Sequence, residues 1–152
     1  MRAILTAAAV AVSATLPFSP PAAADDAAAA LLEADRAFNA MAQEKGVGPA
    51  FAAFAEPAVQ MLNLPSPDLK RDDLPKLFPP GYHLIWEPQD GRISADGTFG
   101  YTWGGATIRS TGPDGTVREQ PSRYITVWRL QADGSWKWIA DGGLAMPPAK
   151  KP

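Results

Sequence analysis

This sequence predicts an α+β fold: N-terminal helices packed on a curved antiparallel sheet. Three observations carry that reading. Apolar residues from Asp26 to Phe54 recur at helical spacing. Five prolines between positions 65 and 81 then break regular structure. From Tyr82 onward apolar and polar residues alternate, with Asp-Gly turns between the runs. Helices first and strands last is an α+β order.

The elements follow in turn. Asp26 to Lys45 reads as a helix that Asp25 or Asp26 can cap. Its apolar stripe is Leu31, Asp35, Phe38 and Ala42, and Gly46 is placed to end it. Pro49 opens a second, short helix carrying Phe51 and Phe54, which Pro57 limits. Ala58 to Leu64 reads as a short strand, and Arg71 to Phe78 as one helical turn between loops. Four main strands follow: Tyr82–Glu87, then about Thr98–Thr111, Thr116–Leu130 and Ser135–Asp141. A straight strand of about 14 residues would reach about 46 Å, wider than a domain of this size. The long strands should therefore bend, with Gly104-Gly105 the natural bulge or kink.

Composition narrows the function. The chain has 152 residues, 14 basic and 16 acidic side chains, one His and no Cys. That length suits one domain. A formal charge of −2 argues against nucleic-acid binding, which needs a basic stripe. The missing Cys removes disulfides, thiol nucleophiles and Cys-type zinc sites, and one His cannot build a His-rich cluster. No metal and no cofactor are expected.

The ends lie outside the expected domain, which spans 25–145. Residues 1–24 read as a signal peptide: Arg2, an apolar run from Ala3 to Leu16, then Ala22-Ala23-Ala24 as the cleavage pattern. The run is too short for a stable membrane anchor, and no Cys follows it to carry a lipid. A periplasmic or secreted protein beginning at Asp25 is the expectation. Residues 146–152, MPPAKKP, read as a flexible tail.

Alternation assigns the sheet faces. Tyr82, Leu84 and Trp86 share one face, as do Tyr101 and Trp103, Tyr124, Thr126 and Trp128, and Trp136 and Trp138. This aromatic face should lie under the helices. The opposite face carries His83, Ile85, Glu87, Arg123, Ile125, Val127, Arg129, Lys137, Ile139 and Asp141. Its apolar centre is available to a second sheet, which points to a homodimer.

Few residues can do chemistry. Asp35 lies on an apolar stripe, where a carboxylate needs a partner or a cavity. It is either an acid/base or ligand-anchoring group at the cone mouth or, the favoured reading, a structural group bonded to a strand backbone or to an Arg at the stripe's edge. His83 suits proton transfer near neutral pH, but its place favours a surface or interface role. Asp141 either faces the rim or, preferably, pairs with Arg123 or Arg129. Asp35, Phe38, Trp86, Tyr101, Trp103, Tyr124, Trp128 and Trp138 are the candidate ligand pocket, with core packing as the competing role of the aromatics.

Three stretches carry a family resemblance: LLEADRAFNAMAQEKGVGPAFAAFAEPAVQML (31–62), RISADGTFGYTWGGATI (92–108) and SRYITVWRLQADGSWKWIADGG (122–143). In their order and spacing the chain resembles the NTF2-like (SnoaL-like) superfamily, especially its short bacterial domains of unknown function. The resemblance implies a cone whose sheet wraps a pocket plugged by helices, commonly in dimers. The group includes ketosteroid isomerases, polyketide cyclases, dehydratases and pure binding or assembly domains, so fold alone assigns no activity. Its isomerases use a carboxylate on the first strand as base. Here that strand reads EPAVQMLNL (56–64), with no carboxylate around Met61 to Asn63. Glu56 falls at the helix–strand junction, where a solvated acid is expected. The leading expectation is therefore an exported cone binding a small, largely apolar molecule. The alternatives are an acid/base lyase, isomerase or hydrolase using Asp35 and His83, or a structural dimerisation module.

Overall fold

The computed structural model describes residues 21–65 and 67–147. Residues 1–20 of the expected signal peptide and 148–152 of the expected tail lie outside them. Among the described residues no helix is long and apolar enough to cross a membrane.

Helix α1 runs Pro21–Lys45, starting earlier than Asp26. A proline fits that first position, where an N–H has no partner anyway. The stripe Leu31, Asp35, Phe38 and Ala42 is buried as its spacing dictates. Gly46, at φ 93, turns the chain into α2, Val47–Phe54. Helix α2 buries Val47, Gly48, Ala50 and Phe51 and packs on a 3-10 turn at Arg71–Lys76.

The strands are β1 Ala55–Met61, β2 Asp68–Lys70, β3 Tyr82–Ile93, β4 Phe99–Thr111, β5 Val117–Leu130 and β6 Trp136–Ala145. They form one sheet in the order β2-β1-β6-β5-β4-β3. Two expectations need correction here. The sheet has six strands, because β2 pairs with β1 and both join it. It is also mixed, because β1 lies parallel to β6 while its other pairings are antiparallel. A strand as short as β1 does not reveal its distant partner in its own residues.

The three turns marked by Asp-Gly are where expected, with Gly97, Gly115 and Gly134 at φ 74, 78 and 83. That left-handed backbone is open to glycine without strain. Each preceding Asp accepts a backbone N–H two residues on, at 2.9 to 3.1 Å.

Two bulges bend the sheet. In β3, Pro88 pairs with Gly104 and Asp90 with Trp103, leaving Gln89 as the extra residue. In β6, Trp138 pairs with Trp128 and Ala140 with Val127, leaving Ile139. The bulge or kink expected at Gly104-Gly105 is thus a bulge on the facing strand. Gly104 admits it: a Cβ there would sit 2.0 Å from the Glu87 carbonyl oxygen.

The inner face of the sheet and the two helices enclose the core. Phe38 is its hub, with ring centroids 4.8 Å from Phe51, 4.7 Å from Trp86 and 5.9 Å from Trp128. Tyr101 and Trp103 correct the face assignment: they point outward and are 40% and 37% exposed. Gly100 and Thr102 take the inner places in β4 because α1 lies close there. A Cβ on Gly100 would meet Leu31 at 2.6 Å, so a large ring has no room.

Candidate functional site

At the end of the core away from Trp128 and Trp138, the helices and sheet leave a cavity of about 240 Å³. Phe38 and α2's Phe51 wall it from the helices. Phe78, Tyr82, Leu84 and Trp86 close one side, and Tyr124, Thr126 and Asp141 the other. Met61 and Asn63 line it where β1 ends.

Beneath the cavity lies Asp35, fully buried. The Trp86 indole Nε1 donates to its Oδ1 at 2.7 Å, and the Tyr124 hydroxyl donates to its Oδ2 at 2.8 Å. Burial raises its pKa, and the hydrogen bonds from Trp86, Thr102 and Tyr124 oppose that rise. The Tyr124 phenol is pushed well above its ordinary range by burial and by the Asp35 charge. Both Asp35 oxygens are thus committed to donors in the cavity floor, and Tyr124 and Trp86 are fixed in orientation by the same bonds.

Asp141, like Tyr101 and Trp103, is a residue that sequence alternation misplaced. Trp138 faces inward; two residues on, alternation would keep that face, and Asp141, three residues on, should face outward. The bulge at Ile139 resets the phase, so Asp141 pairs with inward Thr126 and turns into the cavity. Thr126 Oγ1 donates to Asp141 Oδ2 at 2.7 Å. Asp141 lines the cavity and keeps some surface open to it, while the surrounding protein sets its carboxyl deep below the molecular surface. Burial pushes its pKa up to about 7, opposed by the Thr126 bond and aided by the Asp35 charge. The expected pair with Arg123 or Arg129 does not form. Arg129 Nη1 instead donates to Glu56 Oε2 at 2.8 Å, with Gln131 Nε2 on the other Glu56 oxygen at 2.9 Å. Glu56 is therefore a paired acid rather than a solvated one.

The other sequence candidates divide by place. Phe38, Trp86 and Tyr124 line the cavity. Trp128 and Trp138 are fully buried in the packed core, with Nε1 groups donating to Thr102 Oγ1 and the Phe51 carbonyl at 2.9 Å each. Tyr101 and Trp103 lie on the other side of the sheet. His83 is exposed on that outer side, across from Arg109 in β4. It is not brought near Asp35.

Chemically, the site offers an aromatic wall, a fixed Tyr124–Asp35–Trp86 floor and one carboxyl able to exchange a proton near neutral pH. The position that the resemblance assigns to a base is taken by Met61 and Asn63. Asp141 stands beside Met61 on the adjacent strand, so a carboxyl group does reach that wall by another route.

Helices plugging one end of a curved, unclosed six-stranded sheet define an α+β cone of the NTF2-like fold. Solved structures agree in fold. A dehydratase-named protein of the NTF2-like family from Streptomyces avermitilis matches with TM-score 0.62 at 17% identity, over 82% of this chain and 99% of that one. A ketosteroid isomerase-like protein from Erwinia carotovora atroseptica matches with TM-score 0.59 at 16% identity, over 78% and 96%. The CaMKII hub of S. rosetta matches with TM-score 0.56 at 15% identity, over 86% and 100%. No family model matches the chain, and no curated protein sequence does.

Proposed function

We propose that the chain is exported, cleaved after Ala24, and binds a small, largely apolar molecule in its cone without turning it over. The observation that carries this reading is the aromatic cavity of about 240 Å³, left open where close packing would otherwise fill it. Cavities of about 150 Å³ hold benzene, so this one suits a ligand of one ring with a short chain. Native mass spectrometry of the purified protein should find a retained organic molecule, and single-ring apolar probes should bind. A protein that carries nothing and takes up no such probe refutes the reading. Wild type and Asp35→Asn should retain ligand alike, with no turnover of screened ketones, epoxides or hydroxy-acyl compounds. Turnover by wild type would instead favour an acid/base lyase, isomerase or hydrolase, and its acid/base group would be Asp141 rather than Asp35 or His83.

The outer sheet face supports a second statement, that the protein is a homodimer. Tyr101, Trp103, Ile125 and Leu144 share that face and are 37–72% exposed. The likeness in fold to a CaMKII hub is in keeping with self-association. Sedimentation at low concentration should give the dimer mass; a clean monomer removes this statement.

A further inference from the structure

Asp141 poses a problem of charge. The groups that face it are Asp35 from α1, Tyr82 from β3, and Thr126 and Tyr124 from β5, while β1 brings Met61. None is a cation, and among the described residues the cavity wall has no Lys, Arg or His. The carboxylate receives one side-chain hydrogen bond, from Thr126, although its two oxygens can accept about four. A wholly apolar ligand would cover it and add nothing in return, a costly arrangement for an ionised group. An ammonium group supplies the opposite charge and three donors. The surrounding wall suits the rest of such a molecule. Phe51, Phe78 and Tyr82 form a chain of rings with centroids 5.1 and 5.4 Å apart; Trp86 joins it 6.2 Å from Phe51, and Tyr124 lies 6.4 Å from Trp86. Ring faces attract cations within about 6 Å.

We propose that the cavity selects a small aromatic amine, with its ammonium on the Asp141 carboxylate and its ring among Phe51, Phe78, Tyr82 and Trp86. This rests on the cone being a binding site and names the chemical class of its ligand.

The test titrates the full chain calorimetrically with three probes of matched size: 2-phenylethylamine, 2-phenylethanol and phenylacetate. Near pH 8 the amine should bind about tenfold tighter than the alcohol, or more, as expected for a charge-assisted hydrogen bond. Phenylacetate should bind weakest, since it places a second carboxylate beside Asp141. In Asp141→Asn the alcohol should still bind, and the amine advantage should fall below about threefold. Wild type supplies an independent arm. Toward about pH 5 protonation removes the counter-ion, so the amine advantage should shrink while alcohol binding holds. Alcohol binding as tight as amine near pH 8, or an advantage that survives either change, overturns the amine assignment and leaves the apolar-ligand reading standing. Failure of both probes to bind under all conditions overturns both.

Discussion

Asp35 and Asp141 show how differently two buried acids can be written into a sequence. Asp35 interrupts an apolar helical stripe, so its burial and its need for partners were legible from spacing alone. Its actual partners, Trp86 and Tyr124, were not, because they come from strands 51 and 89 residues away. Replacing Asp35 by Ala strands two buried donors. The expected loss is about 2–4 kcal/mol in urea unfolding, while Tyr124→Phe should lose only about 1 kcal/mol. Asp141 gives the opposite case, since no residue type announces the bulge at Ile139 that turns it inward. Its pH effect has a definite sign. The folded-state pKa, about 7, lies above the ordinary 3.8, so the folded protein holds this proton more tightly than the unfolded chain. Between those values the unfolded state binds fewer protons, and the group's contribution to stability falls as pH rises. Its cost is absent below the unfolded pKa and complete above the folded one. Asp141→Asn should therefore match wild type near pH 4 and exceed it near pH 8 by on the order of 1 kcal/mol or more, read from urea midpoints across pH. Equal midpoints throughout would mean that the carboxyl is not held out of water.

At the scale of elements, the helices and the four long strands were readable from their periods and bounding turns, except that β3 runs on to Ile93, six residues past the Glu87 where its reading stopped. Of the two short strands, β1 was read three residues late, as Ala58–Leu64, and β2 was not read at all. β1 begins at Ala55, before Pro57, because α2 ends at Phe54 and Ala55 is already extended. β2 exists only as the partner of β1 and has no alternating pattern of its own. The face of β4 was misread for a packing reason: Tyr101 and Trp103 are large, but Gly100 and Thr102 are the residues small enough to lie beneath α1. Curvature was foreseen in place, but the bulge lies on β3, facing Gly104, rather than in β4 itself. The close approach of β3 to Gly104 provides its test. Gly104→Ala would drive a methyl group into the Glu87 carbonyl, a backbone atom that cannot rotate away. The expected cost is about 2 kcal/mol or more in thermal unfolding, whereas Gly105→Ala, with nothing within 4 Å of the added Cβ, should cost well under half of that.

For the whole molecule, the division between a packed end and an open end of the cone could not be read in advance. Five tryptophans announce a large aromatic core, but whether rings fill a cone or line it depends on where the helices sit. Trp128 and Trp138 fill it; Trp86 lines it. The outer face makes a separate prediction. Trp103→Glu places a charge on the exposed apolar patch without touching the core, so it should give a monomer in sedimentation that still unfolds cooperatively and whose melting temperature, unlike that of wild type, no longer depends on protein concentration. A dimer that survives this change uses another surface. Export is checked at the N-terminus: protein recovered from outside the cytoplasm should begin at Asp25, and recovery with Met1 intact would contradict cleavage.

The long outer strand β3 is an edge of the sheet, and an edge strand presents free backbone groups to any other chain that comes near. Here α1 occupies them. Asn39 Oδ1 accepts the Trp86 backbone N–H at 3.3 Å, and Gln43 Nε2 donates to the Leu84 carbonyl at 2.9 Å. Pro88 and the Gln89 bulge spoil the remainder of the ladder. The helix that carries Asp35 beneath the cavity therefore also acts as a guard against fibrous assembly. Loss of Asn39 and Gln43 would be felt first as a protein that clouds on warming, well before one that fails to fold.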